Sequence, residues 1–238
     1  GSRVLQKRQQ TLRALVDWSY DMLEPNEQQM LARLGVFAGG FDGAAAAAVC
    51  ADEAVPAKRV PELLASLVQK SLVWRASETN DARYRMLETI RDYAREKLGE
   101  QGSAAPTAGR HCGHYFAMAK EGARGISGAE QARWVRKLED EMDNLRAAIR
   151  CALSGGADPM IAVKLPVALA GFWELRGYSG EGRKHVLDRN LRPLDDRLAH
   201  KHRRITDDTR PVVDNLVRHT VASPSHNLSA FAGGARQP

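Results

Sequence analysis

Aromatic residues are scarce in this 238-residue chain, at 6%, and Ala, Leu and Arg recur instead along amphipathic stretches, a balance that favours helices over sheets. Cysteine is scarcer still. Cys50, Cys112 and Cys151 are odd in number and widely spaced, which fits free, buried thiols in a reducing compartment better than a disulfide framework. No apolar run reaches the roughly 18 to 20 residues of a membrane span, and the N-terminus has no signal-peptide core, so the cytoplasm is the expected location and no membrane partner is expected. A phosphate-binding loop is missing too: VFAGGFDG, residues 36–43, has glycines but neither the Lys nor the hydroxyl side chain that would hold phosphate and magnesium. No Ser, His and acid constellation stands out either, so no enzymatic activity and no catalytic residue is expected. What is present, 43% hydrophobic content, suffices to bury one or two ordinary cores.

The formal net charge is +6, but its distribution matters more than its sum. Arg3, Lys7, Arg8 and Arg13 put +4 into the first 13 residues, and residues 190–238 carry eight Arg or Lys against five Asp, which leaves residues 14–189 at −1. The presumed folded body is not a basic surface.

Along the chain, RQQTLRALVDWSYDML predicts a helix with Leu12, Leu15, Val16, Ser19, Met22 and Leu23 on one face, ended by Glu24 and Pro25. The next helix carries Met30, Leu31 and Leu34 toward VFAGGF, where Gly39 and Gly40 supply a stop. Asp42 is placed to cap the Ala-rich helix that follows. VPAKRVPELLASLVQK then sets Val60, Leu63, Leu64, Leu67 and Val68 on a buried stripe. Directly after it, SLVW at 71–74 reads as a strand, SETND at 77–81 as a tight connection, and Arg83 to Met86 as a partner strand that runs straight into a helix burying Ile90, Tyr93, Ala94 and Leu98. Helices followed by such a hairpin suggest a winged helix.

GEQGSAAPTAG, residues 99–109, marks a candidate boundary. Beyond it, His111 to Gly122 predicts a helix burying Cys112, Tyr115, Phe116 and Ala119. ARWVRKLEDEMDNLRAAIRCAL predicts one long helix with Trp134, Leu138, Met142, Leu145, Ile149 and Leu153 on its buried stripe. The acids of EDEMD, 139–143, read as its solvated face, or more sharply as a contact for a partner's basic surface. Two further helices are expected at 160–176 and 179–189, a helix-turn-helix unit resembling the start of a tetratricopeptide-like array. HCGH, 111–114, lacks a fourth ligand for zinc, and no metal is expected. The expected organisation is mostly α: a winged-helix domain over residues 1–100, a helical, tetratricopeptide-like segment over 107–189, and a poorly ordered or divergent tail over 190–238.

TLRALVDWSYDML, RLGVFAGGF, ELLASLVQKSLV, RYRMLETIRDYAREKL, KLEDEMDNLRAAI and GFWELRGYSGEGRK, in this order, resemble the region that follows the nucleotide-binding domain in bacterial signal-transduction ATPases of the NB-ARC or STAND class, including LuxR-type and antibiotic-regulator-type transcription factors. The resemblance covers roughly residues 3–190. It implies a winged helix that closes over ATP or ADP held by a neighbouring domain absent from this chain, and that passes the nucleotide state to a C-terminal array sensing a protein or small-molecule ligand. In related proteins the hairpin ends in Met-His-Asp; Met86, Leu87 and Glu88 occupy those positions here, and Leu87 cannot donate a hydrogen bond to phosphate. Arg85 and Arg91 are the alternatives for approaching the anion, against a plain reading as solvated surface groups, while Met86 and Leu87 read as core packing.

Two functions follow. In the first, the chain is a regulatory and interaction fragment coupling a nucleotide-binding core to a sensor array, and meets DNA only nonspecifically or through another domain. In the alternative, it is a DNA-binding winged-helix transcription factor. The outward positions of the 59–70 helix, Pro61, Glu62, Ala65, Ser66 and Gln69, are poor in cations, so base contact would fall to Ser66 and Gln69, with Lys70 at the helix end.

Overall fold

The computed structural model describes residues 2–76 and 82–178. The 77–81 connection, the helix expected at 179–189 and the tail from 190 lie outside the described residues. Residues 1–169 form one compact unit, and the remaining described residues, 170–178, belong to a second.

Helix α1, Ser2–Asp21, is followed by α2, Pro25–Leu34, which has Pro at its first turn, where a missing N–H costs nothing. α1 is rotated relative to the expected stripe. Val16, Tyr20 and Leu23 are the buried residues, whereas Leu15, Trp18 and Met22 are exposed, Trp18 by 64%. The contacts explain the rotation: Tyr20 meets the Tyr93 ring edge-on at 5.4 Å, and Arg13 pairs with Glu96, so α1 presents its 13–16–20 face to the helix bearing Tyr93. α2 ends at Gly35, whose N–H caps the last turn, and not at Gly39 and Gly40. Met30, Leu31 and Leu34 are buried as expected.

A two-residue strand β1, Phe41–Asp42, leads into α3, Gly43–Cys50, where the Asp42 carboxylate accepts from the Ala45 N–H at 2.6 Å and caps the helix as its position predicts. A single 3-10 turn precedes α4, Val60–Gln69, which buries Val60, Leu63, Leu64 and Leu67. β2, Trp74–Arg75, and β3, Arg83–Arg85, form the hairpin, and β1 adds to its other edge to give an antiparallel sheet of order β1-β3-β2, with Tyr84 opposite both Phe41 and Arg75. α5, Glu88–Glu100, follows at once. α3 and α4 are the two helices of a helix-turn-helix, and β2 and β3 the wing.

The 99–109 stretch holds only a short turn, because α6 starts at Ala104 and runs to Gly125. The expected long helix after it is two, α7, Gln131–Asp140, and α8, Met142–Leu153, broken at Glu141. α9, Pro159–Arg176, closes the described chain. Among the described residues, no helix is long and apolar enough to cross a membrane, and no group of His, Cys, Asp or Glu is placed to hold a metal ion.

Candidate functional site

The recognition position, α4, is governed by a residue of another helix. Glu27 sits at the third position of α2 with its carboxylate buried against α4. It accepts from the backbone N–H of Glu24 at 2.8 Å, from the Ser66 hydroxyl, and from the Lys70 ammonium at 2.6 and 2.5 Å. Burial alone would raise this carboxyl, but the hydrogen bonds from Lys70, Ser66 and the Glu24 amide hold it below the usual carboxylate range. Two of the three sequence-predicted DNA-contacting residues, Ser66 and Lys70, are thus spent inside the domain, although Lys70 keeps 40% of its side chain exposed. Gln69 is exposed on the outer face.

The hairpin carries the accessible charge. Trp74 and Arg75 on β2 and Arg85 on β3 are exposed, and Lys58 is exposed just before α4. Met86 is half-buried. Leu87 is 57% exposed and belongs to no core, because it stands at the cap position of α5 with its side chain outside the helix packing. Glu88 is exposed beside it. Arg91 is not a solvated group: it donates to the Ala38 carbonyl at 2.8 Å and lies 3.4 Å from Glu88, so it braces the VFAGGF loop. Of the residues expected near an anion, Arg85, Leu87 and Glu88 lie at the surface, and Arg91 is committed to backbone.

The same loop is gripped from the other side by a network around Glu141, an acid that sequence reasoning placed in solvent. Glu141, in the break between α7 and α8, is only 2% exposed. Its carboxylate accepts from Arg83 of β3 at 2.5 Å, from the Tyr115 hydroxyl at 2.9 Å and from Asn144 at 2.8 Å. Asn144, fully buried, accepts from the N–H groups of Ala38 (2.9 Å) and Gly39 (3.3 Å) and donates to the Gly40 carbonyl at 2.8 Å. Arg83 adds bonds to the carbonyls of Gly40 and Asp140, both 3.0 Å. This network ties the wing strand and the loop before β1 to the helices that follow the winged helix. Burial works against the Arg83 charge, and Glu141 more than restores it; burial, with Glu141 beside it, pushes the Tyr115 hydroxyl well up. The signal that could have found the grip is the Gly39–Gly40 pair. A Cβ on Gly39 would sit 3.3 Å from the Asp143 Cβ, and one on Gly40 3.2 Å from the Tyr84 carbonyl oxygen, so the two glycines permit close approach and are not a helix stop.

His111 and His114 of HCGH lie on α6. The His111 ring packs against Phe37 at 5.5 Å and Tyr115 at 4.6 Å. Burial pushes the His111 imidazole from the ordinary 6.5 down to about 4, and burial lowers His114 as well. The unfolded imidazole takes up a proton near 6.5 and the folded one only near 4, so in that window the unfolded state binds more protons and stability falls as pH drops. Thermal melts between pH 7 and 4 are expected to lose several degrees across this window, and His111→Gln to flatten the slope. An unchanged slope in that variant would move the effect to other groups.

Comparison with known proteins adds the lineage. Residues 23–99 match the model of a winged helix-turn-helix domain. Over 182 residues the chain is 41% identical to Rv0890c of Mycobacterium tuberculosis strain H37Rv, named as a candidate HTH-type transcriptional regulator, covering 76% of this chain and 20% of that protein. Its counterpart Mb0914c in Mycobacterium bovis matches equally. Rv0894 of M. tuberculosis, an uncharacterized protein, is 42% identical over 107 residues, covering 44% of this chain and 27% of its own length. The chain therefore spans about a fifth to a quarter of the length of the curated relatives it matches. No solved structure matches it. Sequence and architecture agree on one identification: residues 23–99 are a winged helix-turn-helix domain, in a chain homologous to mycobacterial proteins named as candidate HTH-type transcriptional regulators.

Proposed function

We propose that this chain is the winged-helix segment of a DNA-binding transcriptional regulator, with α4 and the β2–β3 hairpin turned to nucleic acid. The observation that carries the reading is the winged helix-turn-helix domain itself, in a chain similar to a candidate regulator of transcription. On this reading Gln69 reaches a base edge, and Arg75, Arg85 and Lys58 contact phosphates. Three phosphate contacts make a small footprint, so binding is modest and falls with salt.

A second reading is favoured by one specific observation, the capture of Ser66 and Lys70 by Glu27. Here the winged helix docks on a nucleotide-binding domain of a longer protein. ATP or ADP is held by that domain, the exposed hairpin end at Arg85, Leu87 and Glu88 faces it, and the helices from α6 onward lead to a sensor of protein or small-molecule ligands. On either reading the chain is not itself an enzyme.

Selection of duplexes from a randomised pool by the full chain, at about 150 mM salt, separates the two. The first reading expects an enriched motif, a loss of about 1–3 kcal/mol with relaxed selection at one position in Gln69→Ala, and a salt slope reduced by about 2 in the double variant Arg75→Ala, Arg85→Ala. If no motif emerges and none of these substitutions changes binding, contact comes from the basic ends, Arg3, Lys7, Arg8, Arg13 and residues 200–204, and the docking reading stands.

A further inference from the structure

A cleft of about 440 Å³ opens beside α2, lined there by Gln28, Gln29 and Arg33 and completed by Ala54 of the loop after α3 and by Gln101 and Ser103 of the turn between α5 and α6. Its volume is that of a small-molecule site, and most of its lining is polar. Arg33 is only 4% exposed. Its Nη1 donates to the Cys50 carbonyl and the Asp52 carboxylate, both at 2.8 Å, and its Nη2 lies 2.7 Å from the other Asp52 oxygen. The guanidinium charge is thereby neutralised, and what remains is the Nε–H, buried and without a hydrogen-bond partner among the described residues. One turn earlier on the same face of α2, the Gln29 amide oxygen is also buried without a partner. A donor and an acceptor left dry side by side both cost stability, and each calls for a group from outside. Gln28 and Gln101 spend their amide nitrogens on Tyr20, one on its carbonyl and one on its hydroxyl, both at 3.0 Å, so each has an amide oxygen to offer.

We infer that this cleft binds a small neutral molecule through a primary carboxamide, whose oxygen accepts from Arg33 Nε and whose two N–H groups donate to Gln29 and to the amide oxygen of Gln28 or Gln101. The match is one of inventory: the cleft offers one N–H and three amide oxygens, and a primary carboxamide brings one acceptor oxygen and two donors. An anion fits poorly, because Asp52 already holds the guanidinium and the remaining groups are mostly acceptors. A cation fits poorly as well, since it leaves the Arg33 Nε–H unpaired. The Gln29 side chain is held by no hydrogen bond among the described residues, so a turn about its torsions opens both buried atoms to the cleft and breaks no bond of the fold. The rest of the molecule is apolar and compact, and rests on Pro25 and Ala54.

The test uses the full chain, isotopically labelled in nitrogen, and reads the Arg33 Nε–H resonance by NMR while benzamide is titrated into the millimolar range where so small a probe binds. That resonance is expected to shift and saturate together with the side-chain amides of Gln29 and Gln101. N,N-dimethylbenzamide keeps the oxygen but has no N–H, and benzoate adds charge and has no N–H; both are expected to bind about tenfold more weakly than benzamide. Gln29→Leu removes no hydrogen bond of the fold and is expected to weaken benzamide about tenfold, and Gln101→Ala, at the exposed rim, about twofold. An Arg33 resonance that benzamide leaves unmoved, as when water alone reaches it, would overturn the assignment. So would equal binding of the dimethyl compound, tighter binding of benzoate, or unchanged affinity in a folded Gln29→Leu chain. Should that variant fail to fold, the ranking of the three probes on the unsubstituted chain decides the matter.

Discussion

Asn144→Ala is expected to lower the unfolding free energy by about 4 kcal/mol, the largest loss from a single polar substitution in the described chain, read from urea midpoints at constant m. The side chain makes four hydrogen bonds at once: it accepts from Ala38 and Gly39 and donates to Gly40 and Glu141. Removing it strands two half-buried backbone N–H groups, each costing roughly 1–3 kcal/mol unless water enters, and takes one of two donors from the Gly40 carbonyl, which keeps Arg83. Asn144→Asp sharpens the test. It keeps the oxygen that accepts from Ala38 and Gly39 but replaces the donors with a second carboxylate beside buried Glu141, so it is expected to be destabilising at pH 7 and to recover part of the loss in mild acid, where one of the two carboxyls takes a proton. A loss below about 1 kcal/mol in Asn144→Ala would mean that the loop before β1 does not depend on α8.

Gly35→Ala is the second large effect, and its sign is the informative part. At φ −58° the backbone of Gly35 is ordinary for any residue, so the usual entropic gain of a Gly to Ala change would favour the variant by about 0.4–1 kcal/mol. Space decides against it. An added Cβ would lie 2.9 Å from the Arg95 backbone nitrogen and 3.0 Å from the Ala94 carbonyl carbon, main-chain atoms of α5 that cannot swing aside. The Gly35 carbonyl also accepts from Arg95 Nε at 2.7 Å across the same contact. Parting α2 from α5 is expected to cost about 3 kcal/mol net, seen as a lowered melting temperature; a raised one would show that the two helices do not meet this closely.

Much of the winged helix was legible because its determinants are local. The expected stripe of Val60, Leu63, Leu64, Leu67 and Val68 needs only helical spacing to be recognised; the first four are buried and Val68 is half-buried. The change of period at Arg85 to Leu87 marks the passage from β3 to α5, and Asp42 announces a helix start that its carboxylate makes. These features depend on residues within a few positions of one another.

The candidate site is a different matter. Glu141 reads as solvated in any local window, one acid among four in EDEMD, yet it is buried because Arg83, 58 positions earlier, brings the compensating charge. Asn144 gains its role from an exposed-looking loop more than 100 positions away. Ser66 and Lys70 looked available for DNA until α2 packed on α4 and placed Glu27 between them. Leu87 looked buried because it is apolar, but the cap of α5 turns it outward. By itself, then, the sequence determined the helices of the winged helix, the hairpin that follows α4, and most of the apolar stripes of α2, α4 and α5, but it missed β1 and read the first hairpin strand at 71–74 instead of Trp74–Arg75. Only the tertiary structure decided which charged groups are buried, which of α4's polar groups remain for a partner, which face of α1 meets the core and where the helix after residue 130 breaks. Local conformation is set by short-range sterics and hydrogen bonding, which a window of sequence contains; desolvation of a charge is set by whatever distant segment comes to cover it.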